Sequence, residues 1–187
     1  FNEGLRLVRE DQVGPAVQNL SRAVSFNSEN IAAWNLAGLC YYRLGKFKTA
    51  EYCWSASVHK RREENPAGDY LADLSTALKE TASSFSQADC LCRQGKYSQA
   101  SGILSKEICS RFDLSTGLLN YLGVLQLLGG KTSAAVNCWR TVLSIDKSNT
   151  TAARYLADVE KRLGFKLLNK LLKWKERLFK RNDIKGK

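Results

Sequence analysis

Apolar residues recur every three or four positions along this chain, and the longest unbroken stripe runs from Leu71 to Leu91. Such spacing places the apolar side chains on one face of an amphipathic helix. No helix breaker follows Gly68 in this stretch, so the pattern predicts one helix from about Ala67 to Gln94, roughly 42 Å long at 1.5 Å per residue. Val, Ile and Thr do not cluster in alternating runs, and only two prolines are present. The chain is therefore predicted to be all-α.

Two amphipathic segments are near copies of each other, EYCWSASV at 51–58 and VNCWRTVL at 136–143, and a shift of 85 along the chain relates their Cys-Trp pairs. A second internal match has a shorter shift, because residues 4–24 align with residues 38–58 at a shift of 34. An internal period of this length is typical of stacked helix-turn-helix units. The shift of 85 then equals two periods of 34 plus 17 surplus residues.

Residues 31–64 resemble one unit of the tetratricopeptide repeat family, which has this period. The residues that carry the resemblance are Trp34, Gly38, Tyr41, Gly45, Phe47, Ala50 and Trp54. Small Gly38 and Ala50 let two helices approach closely, and aromatic side chains fill the surrounding volume. Two positions depart from the family's pattern: Ala37 stands where Leu is usual and Arg62 where Pro is usual. The resemblance implies a right-handed helical solenoid of antiparallel helix pairs that binds a peptide or a partner protein.

The repeat register predicts that the chain forms a single domain of about five repeats. Almost all of the 17 surplus residues fall within one stretch that continues the apolar stripe, so they predict an inserted helical extension. A solenoid must also cover its last apolar face, which predicts a capping helix. The segments are repeats at about 1–30 (truncated at its start), 31–64, 81–114, 116–149 and 150–163 onwards, the extension at 65–80 and the capping helix at 165–181.

The resemblance also implies which side chains line a concave peptide groove. Arginine recurs at one repeat position near the end of the first helix, in four of the five repeats, and asparagine recurs at another. These residues indicate a groove for an acidic peptide whose backbone the asparagines bind. In the alternative interpretation, each arginine only stabilises a helix C-terminus, by about 0.3–1 kcal/mol. The groove residues are Asn35, Leu39, Tyr42, Arg43, Phe85, Asp89, Arg93, Asn120, Val124, Leu127, Arg154, Asp158 and Arg162.

Positive charge is concentrated near the C-terminus. Residues 165–187 contain nine lysines and arginines and two acidic residues, a net +7 of the chain's +11. Apolar residues at helical spacing form the other face, so this segment predicts a basic amphipathic helix. A cap on the last repeat is the favoured role, a membrane-surface adaptor is the main alternative, and nucleic acid binding is not expected. The basic residues of this surface are Lys166, Lys170, Lys173, Lys175, Arg177, Lys180 and Arg181.

Catalytic chemistry has little support in the sequence. The only histidine is His59, and the GGKT of 129–132 lacks the first glycine and the preceding strand of a phosphate-binding loop. No apolar run approaches the roughly 20 residues of a membrane span. The chain begins at Phe1 and has no Met, so it is expected to be a fragment of a longer protein. These features predict a non-enzymatic protein–protein interaction scaffold without cofactor or metal, and the second alternative is a regulatory domain of a larger protein.

Four of the six cysteines recur at equivalent repeat positions, Cys40 with Cys90 and Cys53 with Cys138. Recurrence of this kind predicts small buried packing residues rather than metal ligands or disulfides. Free cysteines are typical of a reducing compartment, so the expected location is the cytoplasm or the cytoplasmic face of a membrane.

Overall fold

The computed structural model describes residues 1–162, and all regular structure within them is helical. The all-α prediction is thus confirmed for this part of the chain. The predicted capping helix at 165–181 and its basic side chains lie outside the described residues. In chain order the helices are α1 (Asn2–Arg9), α2 (Val13–Phe26), α3 (Ile31–Arg43), α4 (Phe47–Lys60), α5 (Ala67–Arg93), α6 (Tyr97–Arg111), α7 (Thr116–Leu128), α8 (Thr132–Ile145) and α9, which begins at residue 150 and is described to residue 162.

Helices α3 and α4 pack as a pair around a contact between a glycine and a tryptophan. Gly38 of α3 lies directly against the indole of Trp54 on α4, with no room for a Cβ atom between them. Ala50, one turn before Trp54, is fully buried. The turn between the helices contains Gly45 at φ +75°, a left-handed conformation that glycine adopts without steric cost. The small residues therefore let the two helices approach closely, for the reason that the sequence suggests.

Helix α5 is a single 27-residue helix, Ala67–Arg93, in the stretch where the sequence predicts one from about Ala67 to Gln94. Its two halves belong to different cores. Leu74 in the first half packs in a cluster with Trp54 of α4, whereas Ala88 in the second half packs in a cluster with Leu104 of α6. The helix therefore joins two packed groups of helices.

The two groups are equivalent at the shift of 85. The 17 surplus residues are therefore part of the longer unit that repeats and not an insertion between repeats. Helices α7 and α8 have the bounds of α3 and α4 at a shift of 85, and α6 begins at a shift of 84 from the start of α2. At the shift of 85, residues 67–77 of α5 correspond to residues 152–162 of α9. We call residues 1–77 the first unit and residues 86–162 the second unit. The stretch predicted as an insertion at 65–80 thus supplies the last helix of the first unit, fused to the first helix of the second.

The two units meet end to end at a seam formed by their turns and helix starts. The Thr116 hydroxyl at the start of α7 donates to the carbonyl oxygen of Arg43 at 2.8 Å, and the rings of Phe47 and Phe112 lie 5.3 Å apart. The Val13 amide of α2 donates to the Asp146 carboxylate at 3.1 Å. In an open solenoid each repeat contacts only its neighbours. Here the first helix pair contacts the turn before α9, far away along the chain.

The cysteines differ from one another in burial more than their recurrence predicts. Cys40 and Cys53 are buried packing residues, and burial raises the pKa of each thiol to about 11. Cys90 is exposed, so the prediction of a buried side chain is wrong at that position. Cys40 packs on the α1–α2 pair, but the second half of α5 begins a new unit and has no preceding pair over it. All six cysteines are free, and residues 1–162 hold no cluster of three His, Cys, Asp or Glu side chains that could bind a metal.

Candidate functional site

Each unit contains a solvent-open cleft between its second helix pair and its last helix. The first cleft has a volume of about 270 Å³ and lies between α3, α4 and the first half of α5, with the end of α6 at its rim. Its floor is aromatic, because the Trp54 and Tyr70 rings lie 5.4 Å apart and the Tyr42 and Trp54 rings 6.3 Å apart. The lining is Leu39, Tyr42, Trp54, Tyr70, Asp73, Leu74, Ala77 and Arg111.

The second cleft lies between α7, α8 and α9 and has a volume of about 350 Å³. The Trp139 and Tyr155 rings form its floor at 5.2 Å, with an interplanar angle of 43° that is close to the 48° of Trp54 and Tyr70. The lining is Val124, Leu127, Leu128, Thr132, Trp139, Tyr155, Asp158, Val159 and Arg162.

The two clefts are built from equivalent residues at the shift of 85. Both retain a tryptophan, a tyrosine and an aspartate, and both have branched aliphatic residues at two other positions. They differ at two positions, where the first cleft has Tyr42 and Ala77 and the second has Leu127 and Arg162. The equivalent pairs are Leu39 with Val124, Tyr42 with Leu127, Trp54 with Trp139, Tyr70 with Tyr155, Asp73 with Asp158, Leu74 with Val159 and Ala77 with Arg162.

Carboxylates outnumber cations around the first cleft. Asp73 is exposed, and no basic side chain within residues 1–162 lies at ion-pairing distance from it. Arg111 at the rim forms an ion pair with Glu80 and a longer one, 4.0 Å, with Glu107. Burial and the neighbouring Asp113 carboxylate raise the pKa of Tyr42. Among the described residues, Arg111 is the one cation that lines the first cleft, and it is already paired. The Asp73 carboxylate therefore has no ion-pair partner within residues 1–162.

The lining of the second cleft contains one carboxylate and one guanidinium. Asp158 is exposed and, over the described part of the chain, has no ion-pair partner. Arg162 lines the same cleft and supplies a positive charge at the position where the first cleft has Ala77. The two clefts therefore share an aromatic floor but differ in charge, because Arg162 lines the second cleft and the Arg154 guanidinium lies over its Tyr155 ring, whereas the equivalent residues of the first unit are Ala77 and Asp69.

Six of the thirteen predicted groove residues line these clefts: Leu39 and Tyr42 the first, and Val124, Leu127, Asp158 and Arg162 the second. Phe85 is instead a core residue, 6.1 Å from Phe112 in an edge-to-face arrangement. Asp89 and Arg93 form an exposed ion pair at 2.9 Å on the second half of α5. Arg43 lies at the seam, where its carbonyl oxygen accepts from Thr116, and the Arg154 guanidinium lies over the ring of Tyr155, which lines the second cleft.

The two predicted groove asparagines are used inside the fold. Asn35 donates to the Asn65 side chain at 2.8 Å and accepts from the buried Ser57 hydroxyl. Asn65 in turn accepts from the Ala67 amide at the start of α5. The hydrogen bonds of Asn35 therefore tie α3 to the helix start of α5, and its side-chain oxygen has an internal donor rather than a peptide backbone.

Asn120 joins α7 to the start of α9 in the second unit, but with one hydrogen bond fewer than Asn35 makes. It donates to the Asn149 side chain at 3.3 Å, and Asn149 accepts from the Ala152 amide near the start of α9. The residue equivalent to Ser57 is Val142, which has no hydroxyl, and the buried Asn120 Oδ1 has no hydrogen-bond partner within residues 1–162. Both recurring asparagines thus join helices within their unit, and the binding of a peptide by them stays a prediction.

Replacing Ser57 by alanine is expected to lower the free energy of unfolding by about 1–2 kcal/mol, because Asn35 Oδ1 would become as unsatisfied as Asn120 Oδ1. Urea unfolding measures the change. Ser55→Ala on the exposed side of the same helix is the matched control and should change stability by less than about 0.5 kcal/mol. Equal effects of the two substitutions would contradict a structural role for the Ser57–Asn35 bond.

Sequence reasoning missed six of the eight residues that line the first cleft, and the three that bear on binding most directly are Trp54, Tyr70 and Asp73. The repeat pattern gives Trp54 a packing role only, and the other two lie in the stretch predicted as an insertion. A signal for them is nevertheless present, because YLADL at 70–74 recurs as YLADV at 155–159, again at the shift of 85. That shift therefore relates the two whole units and not only their single helix pairs.

Comparisons of the sequence with protein-family models and with curated proteins give no match. Over residues 1–162, no helix combines the length and the apolar character that crossing a bilayer requires. The functional proposal therefore rests on the two clefts.

Proposed function

We propose that this chain is a tetratricopeptide-like helical-repeat protein that acts as a non-enzymatic scaffold and binds peptide segments of partner proteins. The close glycine–tryptophan contacts of α3–α4 and α7–α8 and the 34-residue period support the repeat assignment. We further propose that the helix pairs within each unit stack in the right-handed sense of that family. The free cysteines favour a cytoplasmic location.

The observation that carries the binding proposal is the pair of open, aromatic-floored clefts. Ligand sites in proteins are concave and mostly apolar, with a few polar groups that orient the ligand, and both clefts have this composition. Their volumes, about 270 and 350 Å³, lie at or below the lower end of small-molecule pockets and suit one or two large side chains. A peptide that inserts side chains between helices is therefore the ligand that fits best.

Panning a phage-displayed random peptide library on the full chain tests this proposal. Selected peptides should lose about tenfold or more in affinity when Leu39→Glu or Val124→Glu places a carboxylate in an apolar cleft wall. Ser55→Glu, on an exposed helix face outside both clefts, is the matched control. Circular dichroism establishes that each variant remains helical. Failure to enrich any peptide, or peptides whose binding ignores both cleft variants, would refute the scaffold proposal.

A further inference from the structure

Both clefts retain an exposed aspartate that the fold itself does not use. Within residues 1–162, the Asp73 and Asp158 side chains make no ion pair, and neither takes part in the hydrogen bonds that join the helices. Each nevertheless occupies the same position beside a half-buried tyrosine, Tyr70 or Tyr155, that packs on a buried tryptophan. An unpaired carboxylate next to an aromatic floor is a suitable receptor for a cation on an apolar stem.

We propose that the two clefts are equivalent binding sites, each of which takes an apolar side chain flanked by a lysine or arginine of a partner protein, so that one chain holds two such segments. This inference rests on the proposed scaffold function and specifies its partner. Lysine and arginine carry aliphatic stems that pack on aromatic rings and end in a charge that Asp73 or Asp158 can pair.

The charge that this proposal requires is opposite to the charge of the whole chain. The net charge of +11 attracts acidic partners through long-range electrostatics. Around the first cleft, however, Asp73, Glu80 and Glu107 outnumber Arg111, which is already paired. A preference for basic segments would therefore have to come from the clefts and not from the overall field.

The two clefts should differ in affinity, because Arg162 in the second replaces Ala77 in the first. The Arg162 guanidinium repels an incoming cation, so the second cleft should bind a basic segment more weakly. Exchanging the two residues should exchange the difference in affinity between the clefts. Ala77→Arg should weaken the first cleft and Arg162→Ala should strengthen the second, each by about two- to fivefold, the size of a single partly exposed charge interaction.

Two synthetic peptides of identical length and apolar pattern provide the probe, one with leucine and lysine and one with leucine and glutamate. Calorimetric titration of the full chain should give two bound lysine peptides per chain, and the glutamate peptide should bind more weakly than the lysine peptide. Asp73→Asn and Asp158→Asn should each weaken one of the two binding events, and together they should weaken both. Asp69→Asn, on the same helix as Asp73 but outside the cleft lining, is the control and should change neither.

Tighter binding of the glutamate peptide, with loss of affinity in Arg43→Ala and Arg93→Ala, would overturn the inference and favour the acidic-peptide interpretation of the arginines. A single bound peptide per chain would overturn the equivalence of the clefts. Library-selected peptides that depend on Leu39 and Val124 but carry no basic residue would overturn the inference and leave the scaffold function standing. Binding of neither probe, with no selected peptide, would refute both.

Discussion

Gly38→Ala is expected to lower the free energy of unfolding by about 2–3 kcal/mol, since overpacking a rigid core contact costs about 1–3 kcal/mol or more. A methyl group at this position would overlap the indole of Trp54, which is 2% exposed and also packs on the Tyr70 ring at 5.4 Å. The higher helix propensity of alanine returns about 1 kcal/mol at most. The indole also donates to the Asn35 carbonyl oxygen at 3.3 Å, a bond that any shift of the ring weakens. Urea unfolding followed by tryptophan fluorescence measures the loss.

Gly123→Ala should destabilise the second unit for the same reason, since its Cβ would lie 2.6 Å from Trp139 Nε1. Gly102→Ala in α6 is the matched control, because no atom lies within 4 Å of the Cβ that it adds. That substitution should stabilise the protein by up to about 1 kcal/mol. The same substitution is thus expected to lower stability at Gly38 and to raise it at Gly102. Equal, small effects at Gly38 and Gly102 would show that α3 and α4 are not in close contact.

The helices were predictable because their signal is local and periodic. The stripe from Leu71 to Leu91 indicates α5 within one residue at its C-terminal end, and the small residues Gly38 and Ala50 indicate the tight α3–α4 pair. The contact between the two units was not predictable in the same way. Phe112 and Asp146, which contribute to it, are single residues that follow helices and belong to no repeating apolar pattern.

The candidate site was predictable only where the family pattern applied. Leu39 and Val124 lie on first helices of well-formed repeats, so the resemblance identifies them as groove residues. Tyr70 and Asp73 lie in a stretch with no counterpart in a 34-residue register, and only the shift of 85 reveals Tyr155 as an equivalent. The role of the asparagines was not predictable, because a recurring polar residue indicates a hydrogen bond but not its partner, which here comes from the start of the next helix.

Phe112 and Asp146 show how two different chemistries hold one seam. Each directly follows the second helix of a pair in the second unit, and each contacts the first residue of a helix in the first unit. Phe112 is fully buried against Phe47, the first residue of α4. Asp146, which is 2% exposed, accepts from the amide of Val13, the first residue of α2. Gln12, the residue before α2, makes no side-chain cap, so Asp146 acts as the cap from a distant part of the sequence.

Asp146→Ala is therefore expected to lower the free energy of unfolding by about 2–4 kcal/mol, because it leaves the buried Val13 amide without an acceptor and removes a negative charge from the positive end of the α2 dipole. It also removes the acceptor of the Ser148 amide, which shapes the turn before α9. Hydrogen exchange gives a second measurement, because protection of the Val13 amide should fall by more than the loss of global stability alone explains.

Asp113→Ala is the matched control for Asp146→Ala. Asp113 directly follows Phe112 at the same seam, but it is exposed and makes no ion pair within residues 1–162. Its replacement should change stability by less than about 0.5 kcal/mol and leave the exchange of the Val13 amide as it is. Asp146→Asn should lie between the two, because the amide oxygen keeps an acceptor for Val13 but loses the charge. If Asp146→Ala were as mild as Asp113→Ala and Val13 stayed protected, the first helix pair would not be held by this cap, and other contacts between the units, such as the Lys147–Asp11 ion pair and the Phe47–Phe112 contact, would hold them together.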